Sequence, residues 1–391
     1  MRILFAATRT AGHIGPLVPF AHACRRAGHE VLVAAPRSAA PQVERAGLPL
    51  AALDDPSEEL LAPIWERVHA AEPHDANRIV MEEVYAGEHA RSALPGVLAT
   101  MQSWRPDVVL RETCEFASLV AAERLGLPQF QVAIFLAAFG DMDWGDLGDP
   151  LNRLREQVGL RPDRHPQRLW EEPYLTLAPR SLEYPAAVVS PGTRRFREPP
   201  APPQPLPDWW GGSREPLVYV SFGSIAAGAG FYPAVYRATV EALADLPARV
   251  LLTVGDEVDP AALGPVPASV HVEPWVPQNA VMPHAAAMIG HGGSGSTLMA
   301  MAAGLPLAVV PLFADQPYNA RRVAAIGAGI ALGPDRLGEL GDAVSALLHE
   351  PGYRRAAQAV AAEVAAQPPV DAVVDMLEDI ARGGRPGMAA A

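Results

Sequence analysis

The sequence predicts an α/β protein with two Rossmann-like domains, each built around a parallel sheet. Three observations favour this fold class. Short apolar segments alternate with helical segments near the start, a proline-rich stretch interrupts them, and the alternation then restarts. Parallel strands need crossover helices that cover both faces of the sheet, so this alternation is typical of parallel sheets. We therefore predict an N-terminal domain over residues 1–198, a linker over 199–216, a C-terminal domain over 217–369, and a C-terminal helix and tail over 370–391.

The first half opens with a strand, a turn-like loop and a helix. The apolar run 2–7 predicts the strand, and the helix is expected to end at Ala27 because Gly28 favours a helix stop. The other elements predicted in this half are strands at 31–35 and 108–110 and a helix at 116–125.

A stretch rich in proline, residues 197–216, separates the two halves. Proline lacks a backbone N–H and has a fixed φ, so the stretch predicts an extended, stiff linker. Two α/β domains joined in this way are expected to leave a ligand cleft between them.

The second half repeats the alternation of strands and helices. A further stretch, 342–382, is expected to be helical apart from a break at Pro368 and Pro369. The strands are predicted at 217–221, 250–254, 270–273, 287–290 and 307–311, and the helices at 233–246, 294–303 and 319–326.

Composition excludes several classes of function. The formal charge of −13 and the pI near 5.3 argue against a protein whose main ligand is nucleic acid or an anionic membrane. Cys24 and Cys114 give no disulfide framework, and the first residues have no signal-peptide pattern, so we expect a cytoplasmic protein. The longest apolar stretch, 298–314, is interrupted by one glycine and two prolines and is a poor candidate for a membrane span.

The glycine-rich segment 289–297, I-G-H-G-G-S-G-S-T, is the most informative stretch of the chain. It follows a predicted strand and opens a predicted helix. Glycines let the backbone approach a ligand closely, and the free N–H groups and dipole of a helix start favour a phosphate. The segment therefore predicts a phosphate-binding loop.

The same loop leaves a second class of enzyme open. Gly290, Gly292 and Gly295 satisfy the G-x-G-x-x-G spacing, and Asp315 lies near the distance expected for a ribose-binding acid. An NAD-dependent oxidoreductase is therefore an alternative. His291 argues against it, because a dinucleotide-binding loop has no use for an imidazole.

Five motifs together resemble the nucleotide-sugar-dependent glycosyltransferases of the GT-B fold, above all the bacterial natural-product enzymes. The resemblance spans nearly the whole chain and implies two Rossmann-like domains that face each other across a cleft. The motifs are T-A-G-H-I-G-P at 10–16, V-S-F-G-S at 220–224, W-V-P-Q at 275–278, H-G-G-S-G-S-T at 291–297 and A-D-Q-P at 314–317.

The resemblance implies that the C-terminal domain binds the nucleotide sugar. Trp275 would lie against the base, with Val276 and Gln278 reading its edge, and Asp315 and Gln316 would bind sugar hydroxyls. The predicted ligands of the diphosphate are Ser224, His291, Gly292, Gly293, Ser294, Gly295, Ser296 and Thr297.

The resemblance also implies that the N-terminal domain binds the acceptor and supplies the base. His13 would take the proton from an acceptor hydroxyl, and a carboxylate behind it would orient its ring. Glu112, which follows a predicted strand, is our first candidate for that carboxylate and Glu115 the second. One base and no protein nucleophile predict inversion at the anomeric carbon.

Three further expectations concern the ligands. Met299 replaces the glutamate with which many UDP-glucose users bind the ribose hydroxyls, so a dTDP-sugar is weakly favoured over a UDP-sugar. Asp141 and Asp143 form a nominal D-x-D in an acidic loop, and we predict no metal and no resident cofactor. The acceptor is expected to be a small lipophilic molecule in a pocket that includes Phe135, Phe139, Met142 and Trp144.

The sequence thus predicts an inverting, metal-independent O-glycosyltransferase that binds neither nucleic acid nor membranes. A homodimer is left open. Besides the oxidoreductase, the alternatives are a catalytically inactive auxiliary protein of the same fold and a nucleotide-sugar epimerase.

Overall fold

The chain divides into two compact units. The computed structural model describes residues 1–136, 145–163, 169, 172–185, 192–199, 215–256 and 258–382. Unit 1 comprises Met1–Leu177, Ala186–Glu198 and Pro368–Ala391, and unit 2 comprises Ala178–Pro185 and Pro199–Gln367. The last segment of the chain thus belongs with the first unit. Most of the predicted linker, 200–214, lies outside the described residues.

Unit 1 is built on a seven-stranded parallel sheet with the order β3-β2-β1-β4-β5-β6-β7. The neighbours β1 and β4 run parallel in the register Ile3↔Val108 to Ala6↔Arg111. Both strands are almost entirely buried, because helices cover the sheet on both faces. The strands are β1 (Arg2–Ala6), β2 (Glu30–Pro36), β3 (Leu50–Leu53), β4 (Val108–Glu112), β5 (Gln129–Val132), β6 (Tyr174–Thr176) and β7 (Arg194–Arg195).

The helices of unit 1 include one stretch of π-helix, Val80–His89, which continues directly into the next helix. The α-helices are α1 (Ala11–Ile14), α2 (Val18–Arg26), α3 (Ala40–Arg45), α4 (Glu58–Ala70), α5 (Pro73–Ile79), α6 (Ala90–Trp104), α7 (Ala117–Leu125), α8 (Gly148–Gln157) and, from the end of the chain, α15 (Val373–Ala381).

The first helix differs from its prediction. The helical residues begin at Ala11, and a 3₁₀ turn, Gly15–Leu17, separates α1 from α2. Pro16 and Pro19 lack the N–H that a continuous α-helix would need in this stretch, which accounts for the turn. His13 therefore lies inside a single helical turn directly after β1.

Unit 2 is built on a six-stranded parallel sheet with the order β10-β9-β8-β11-β12-β13. Its core is lined by apolar side chains from β8, β9 and β11, which are buried on both faces. The strands are β8 (Leu217–Ser221), β9 (Arg249–Thr253), β10 (Val270–Glu273), β11 (Ala287–Gly290), β12 (Leu307–Val309) and β13 (Gly329–Ala331).

The helices of unit 2 cover this sheet. They confirm the predicted helices with shifts of a few residues at their ends, the largest being an earlier end at Ala242. They are α9 (Ala234–Ala242), α10 (Gln278–Val281), α11 (Ser294–Ala302), α12 (Gln316–Ala325), α13 (Leu340–His349) and α14 (Pro351–Ala366).

The strand order of each unit reverses at one place, between β1 and β4 in unit 1 and between β8 and β11 in unit 2. In open parallel sheets the loops that leave the carboxyl ends of two such strands diverge, and they leave a crevice for ligands. These four strands and the loops that follow them carry His13, Glu112 and the glycine-rich segment 289–297. The predicted fold class of two Rossmann-like parallel-sheet domains is confirmed.

Candidate functional site

The pair His13 and Glu112 lies at the strand reversal of unit 1. His13 follows β1, and Glu112 is the last residue of β4, so the two neighbouring strands bring their side chains together. Nδ1 of His13 lies 2.9 Å from Oε1 of Glu112. The Glu112 side chain is fully buried, and that of His13 is 12% exposed. Of the two carboxylates considered from the sequence, the structure places Glu112 at the imidazole.

The Glu112 carboxylate accepts hydrogen bonds on both oxygens. Oε1 accepts from the N–H of Thr8 at 3.2 Å and from its hydroxyl at 2.9 Å, and Oε2 accepts from the N–H of Cys114 at 2.6 Å. Burial opposes ionisation, but the His13 ring and these N–H donors outweigh it and hold the pKa of Glu112 below its usual value. The carboxylate is therefore ionised and fixed in orientation.

An ionised carboxylate can only accept, so Nδ1 of neutral His13 must carry the proton. Nε2 is then the basic nitrogen of the ring. The hydroxyl of Tyr85, on the π-helical stretch, lies 3.1 Å from Nε2 and donates to it. The imidazole is thus in the tautomer that a general base needs, with its lone pair on the side away from Glu112.

Glu115 has a different function. Its carboxylate accepts from the N–H groups of Ala117 and Ser118 and from the hydroxyl of Ser118, so it caps the start of α7. Burial raises the pKa of Glu115 to about 7, although the hydrogen bonds from Ser118 and the charge of Arg111 oppose this shift. The structure explains Glu115 as a helix cap.

A small cavity lies beside the pair. Its lining includes Thr8, Tyr85, His89, Glu115 and Phe116. Burial lowers the pKa of His89 to about 4, so its ring is neutral at physiological pH. The cavity is therefore lined by uncharged and apolar groups on the side of Tyr85 and His89.

Phe135, one of the predicted acceptor residues, is partly buried and packs against the core of unit 1. The other three, Phe139, Met142 and Trp144, lie outside the described residues, and so do Asp141 and Asp143 of the D-x-D.

His13, Glu112 and Cys114 are also the one set of three potential metal ligands among the described residues whose ligand atoms all lie within 4.8 Å of one another. However, both Glu112 oxygens already accept hydrogen bonds from N–H and O–H donors. The donor set therefore fits a hydrogen-bonded acid–base pair better than a coordination site.

The glycine loop lies at the strand reversal of unit 2. It follows β11 and leads into α11, and the loop after β8 lies beside it. Gly223 has a φ of +80°, and a Cβ there would lie 2.7 Å from the His291 ring. Gly293 likewise leaves no room for a Cβ beside the same ring. The two glycines thus make the space in which the imidazole of His291 lies.

The imidazole of His291 is uncharged in the free protein. Burial lowers the pKa of His291 to about 4, against the effect of a backbone hydrogen bond with Ser221. A neutral ring can still donate one N–H to an anion, and an anion beside it would favour protonation.

The start of α11 offers backbone donors. The N–H of Thr297 bonds to the carbonyl of Gly293 at 3.0 Å and the Thr297 side chain is buried, so this residue is taken up by the helix. Its contact with a diphosphate stays a prediction. Since the first N–H groups of a helix have no partner within it, those of Ser294, Gly295 and Ser296 form the donor set at this end.

The predicted sugar-binding residues differ in exposure. The Asp315 carboxylate is partly exposed and accepts from the Ser294 hydroxyl at 2.8 Å. Gln316 is buried, and its carbonyl oxygen accepts from the N–H groups of Leu312 and Phe313 at 2.8 and 3.0 Å. The carbonyl oxygen of the Gln316 side chain therefore holds the conformation of the loop after β12.

The predicted base-binding residues surround the end of β10. Trp275 is 60% exposed, which is unusual for so large an apolar side chain and leaves one face accessible to a ligand. Val276 is buried, and the amide of Gln278 donates to the Ser221 hydroxyl at 3.2 Å. Ser224, in the loop after β8, is exposed.

Asn319 is a residue of this region that the sequence did not single out. Its buried side-chain amide donates at 2.8 Å to the carbonyl of Gly292 and at 2.8 Å to Oδ2 of Asp315. It thus joins the glycine loop to the loop that carries Asp315. The available signal was its place four residues after Asp315, one helical turn into α12.

Comparisons with known proteins agree with this geometry. The family described as erythromycin biosynthesis protein CIII-like matches with its N-terminal domain over residues 22–142 and its C-terminal domain over 237–380. The 4'-demethylrebeccamycin synthase of Lentzea aerocolonigenes is 30% identical over 97% of this chain and 99% of its own. The L-demethylnoviosyl transferase of Streptomyces niveus is 32% identical over 86% of each chain.

The chain belongs to the bacterial natural-product glycosyltransferases. The solved glycosyltransferase SnogD from Streptomyces nogalater is 30% identical, with a TM-score of 0.77 over 97% of this chain and 99% of its own. The glycosyltransferase VinC in complex with dTDP is 26% identical, with a TM-score of 0.79 over 98% and 100%. The GT-B prediction is confirmed, and the oxidoreductase alternative is not supported. Among its described helices, this glycosyltransferase has none long and apolar enough to cross a membrane.

Proposed function

We propose that this glycosyltransferase moves a deoxysugar from a dTDP- or UDP-sugar to a hydroxyl of a small lipophilic natural product, with inversion at the anomeric carbon. The observation that carries the proposal is the pair His13 and Glu112, with Nδ1 and Oε1 2.9 Å apart. Relatives named 4'-demethylrebeccamycin synthase, L-demethylnoviosyl transferase and 3-alpha-mycarosylerythronolide B desosaminyl transferase support the substrate class.

In the proposed mechanism, Nε2 of His13 takes the proton of the acceptor hydroxyl as its oxygen attacks the anomeric carbon. The bond from that carbon to the diphosphate breaks, and the nucleoside diphosphate leaves with the electron pair. Glu112 stays ionised and stabilises the imidazolium that forms, as the carboxylate does in other acid–base pairs. A single displacement by the acceptor oxygen inverts the anomeric configuration.

The charge that develops on the diphosphate would be stabilised in unit 2. The N–H groups at the start of α11 and the imidazole of His291 are the proposed donors, and the helix dipole adds to their effect. The exposed face of Trp275 is proposed to stack on the base. Asp315 is proposed to accept from sugar hydroxyls.

We further propose dTDP as the preferred nucleotide. Met299, 39% exposed on α11, provides no carboxylate for a ribose 2′-hydroxyl. The structural relatives VinC and the spinosyn rhamnosyltransferase SpnG are described in complex with dTDP and with thymidine diphosphate. The Met299→Glu variant should shift competition binding towards UDP. An unchanged preference, or a wild-type preference for UDP, would remove this part of the proposal.

The transfer is proposed to need neither a metal ion nor a resident cofactor. The donors around Glu112 support this, because a cation on the carboxylate would compete with the hydrogen bonds that hold it. Activity that disappears with a chelator and returns with Mg²⁺ or Mn²⁺ would contradict it.

The deciding experiment incubates the protein with dTDP- and UDP-sugars and a panel of hydroxylated polyketide and aromatic acceptors. Product formation is followed by mass spectrometry and the anomeric configuration by NMR. His13→Ala and Glu112→Gln should each lower kcat by about 10²- to 10⁴-fold, the range of general-base catalysis. His22→Ala, a partly buried histidine of α2, is the matched control and should keep its activity.

Three outcomes would overturn parts of the proposal. Full activity of His13→Ala would exclude the base, and a retained anomeric configuration would exclude the single displacement. Conversion of the nucleotide sugar with no acceptor present would indicate an epimerase.

A further inference from the structure

Arg111 is a fully buried guanidinium one residue before Glu112. A buried cation is uncommon and needs partners that compensate for the loss of hydration. Because successive residues of a strand point to opposite faces, Arg111 lies on the face of the sheet opposite to Glu112. It is therefore behind the acid–base pair and contacts Glu112 only through its backbone carbonyl.

Glu172 and Gln131 hold the outer edge of this guanidinium. Nη2 and Nε of Arg111 donate to Oε2 of Glu172 at 2.7 and 3.1 Å, and Nη2 also lies 3.3 Å from Oε1 of Gln131. Glu172 is itself nearly buried, with a side-chain exposure of 7%. The ion pair is thus shielded from water and fixed in orientation.

The other edge of the guanidinium faces the loop between β4 and α7. Nη1 of Arg111 lies 3.3 Å from the carbonyls of Glu112 and Thr113 and 3.4 Å from that of Glu115. In the middle of this loop, the N–H of Cys114 donates to Oε2 of Glu112. The conformation of the loop therefore sets the position of the Cys114 N–H, one of the donors to the Glu112 carboxylate.

Stability alone is a weak reason for such a pair. The cost of desolvation offsets much of the attraction, and apolar side chains of similar volume often give a fold that is as stable. Apolar side chains cannot, however, donate to three carbonyls. The guanidinium therefore fixes the conformation of the loop between β4 and α7, which an apolar side chain could not do.

We propose that Arg111 and Glu172 are positioning residues that hold the loop 112–115 so that the Glu112 carboxylate stays aligned with Nδ1 of His13. The inference rests on the proposed function of His13 and Glu112. In this proposal Glu172 holds Arg111 in place, Arg111 holds the loop, and the loop holds the Glu112 carboxylate.

The test measures kcat and both KM values for Arg111→Lys and for the double variant Arg111→Met with Glu172→Met. A lysine keeps the charge but cannot reach Glu172 and the carbonyls together. We expect kcat to fall by about 10- to 100-fold, the usual effect of removing a supporting residue of a site, with little change in either KM. The double variant should keep the melting temperature and still lose kcat, which separates positioning from stability.

Arg155→Lys is the matched control. Arg155 forms another largely buried ion pair of unit 1, with Glu123, between α8 and α7. It should leave kcat unchanged. A kcat loss in this control equal to that of Arg111→Lys would overturn the inference, since any buried pair would then have the same effect.

A double-mutant cycle with Glu112→Gln distinguishes the inference from the proposed function. If Arg111 acts through Glu112, the double variant Arg111→Lys with Glu112→Gln should have nearly the same kcat as Glu112→Gln alone. Additive losses, or an unchanged kcat of Arg111→Lys, would overturn the inference. An unchanged kcat of Glu112→Gln alone would instead overturn the function proposed for Glu112.

Discussion

The hydroxyl of Tyr85 lies 3.1 Å from Nε2 of His13, the nitrogen that is proposed to take the proton of the acceptor. The two rings are also in contact, with centroids 5.2 Å apart. An acceptor hydroxyl that approaches Nε2 must replace the tyrosine hydroxyl, because both would donate to the same lone pair.

We therefore predict that Tyr85→Phe binds the acceptor more tightly. A phenylalanine keeps the ring but removes the competing donor, so the acceptor KM should fall by about 2- to 10-fold, the worth of one hydrogen bond. We expect kcat to stay within about twofold of the wild type. Steady-state kinetics test this, with Tyr232→Phe of unit 2 as a control. A lower kcat at an unchanged KM would show instead that Tyr85 orients the imidazole.

Glu115 predicts a pH dependence of stability. Its pKa is raised to about 7 in the folded protein, so the folded state holds a proton that the unfolded state has already lost. The contribution of the protonated group is fully present below pH 4.5 and is lost as the pH rises through 7. The sign is thus a loss of stability with rising pH.

Glu115→Gln removes this titration while keeping a carbonyl that can cap α7. The stability of the variant relative to the wild type should rise between pH 5 and pH 8, by an amount on the order of 3 kcal/mol or less. Urea unfolding curves of both proteins at the two pH values are the measurement. Parallel shifts, with a constant difference between the proteins, would exclude the buried carboxyl as the cause.

His291 predicts that nucleotide binding takes up protons. The pKa of His291 is lowered to about 4 in the free protein, and a bound diphosphate would raise it because the anion favours imidazolium. Affinity for dTDP should therefore increase as the pH falls from 7 to 5 more in the wild type than in His291→Asn. Calorimetry in two buffers of different ionisation enthalpy counts the protons. Equal uptake by both proteins would place the diphosphate away from this ring.

Asn319→Ala is predicted to weaken binding of the donor without affecting the acceptor. The substitution removes the Asn319 donor from the Gly292 carbonyl and from Oδ2 of Asp315, which still accepts from the Ser294 hydroxyl, at a cost of about 1–3 kcal/mol. The donor KM should rise about 5- to 100-fold. Asn152→Ala, which removes a comparable amide contact with Asp163 in unit 1, is the control. Equal effects on both substrates would argue for a general loss of structure.

Much of this site was predictable because its residues follow strands. Glu112 ends a short buried strand, His291 directly follows one, and His13 lies in the first helical turn after one. Such residues gather at one edge of a parallel sheet. The sequence could not show that β1 and β4 are neighbours in the sheet, because β2 and β3 lie between them along the chain. That adjacency, which brings His13 and Glu112 together, was expected only from the resemblance to known glycosyltransferases.

The residues that the sequence missed have physical reasons for being hidden. Arg111 ends an apolar run, and a charge there normally indicates the end of a strand, whereas β4 continues through it. Tyr85 lies in a π-helical stretch, where the usual helical spacing does not tell which residues share a face. Each residue has its partner more than 60 positions away in the chain, His13 for Tyr85 and Glu172 for Arg111. No local sequence pattern therefore marks either of them.

The last helix of the chain belongs to the first unit. Arg26 of α2 pairs with Asp371, and His29 lies 3.3 Å from Glu378 of α15. Val373 and Leu377 of α15 are buried. During synthesis, the ribosome therefore releases all of unit 2 before the segment that completes unit 1. The unit that carries His13 is therefore interrupted along the chain by unit 2, and a fragment that stops near residue 198 would lack part of its own fold.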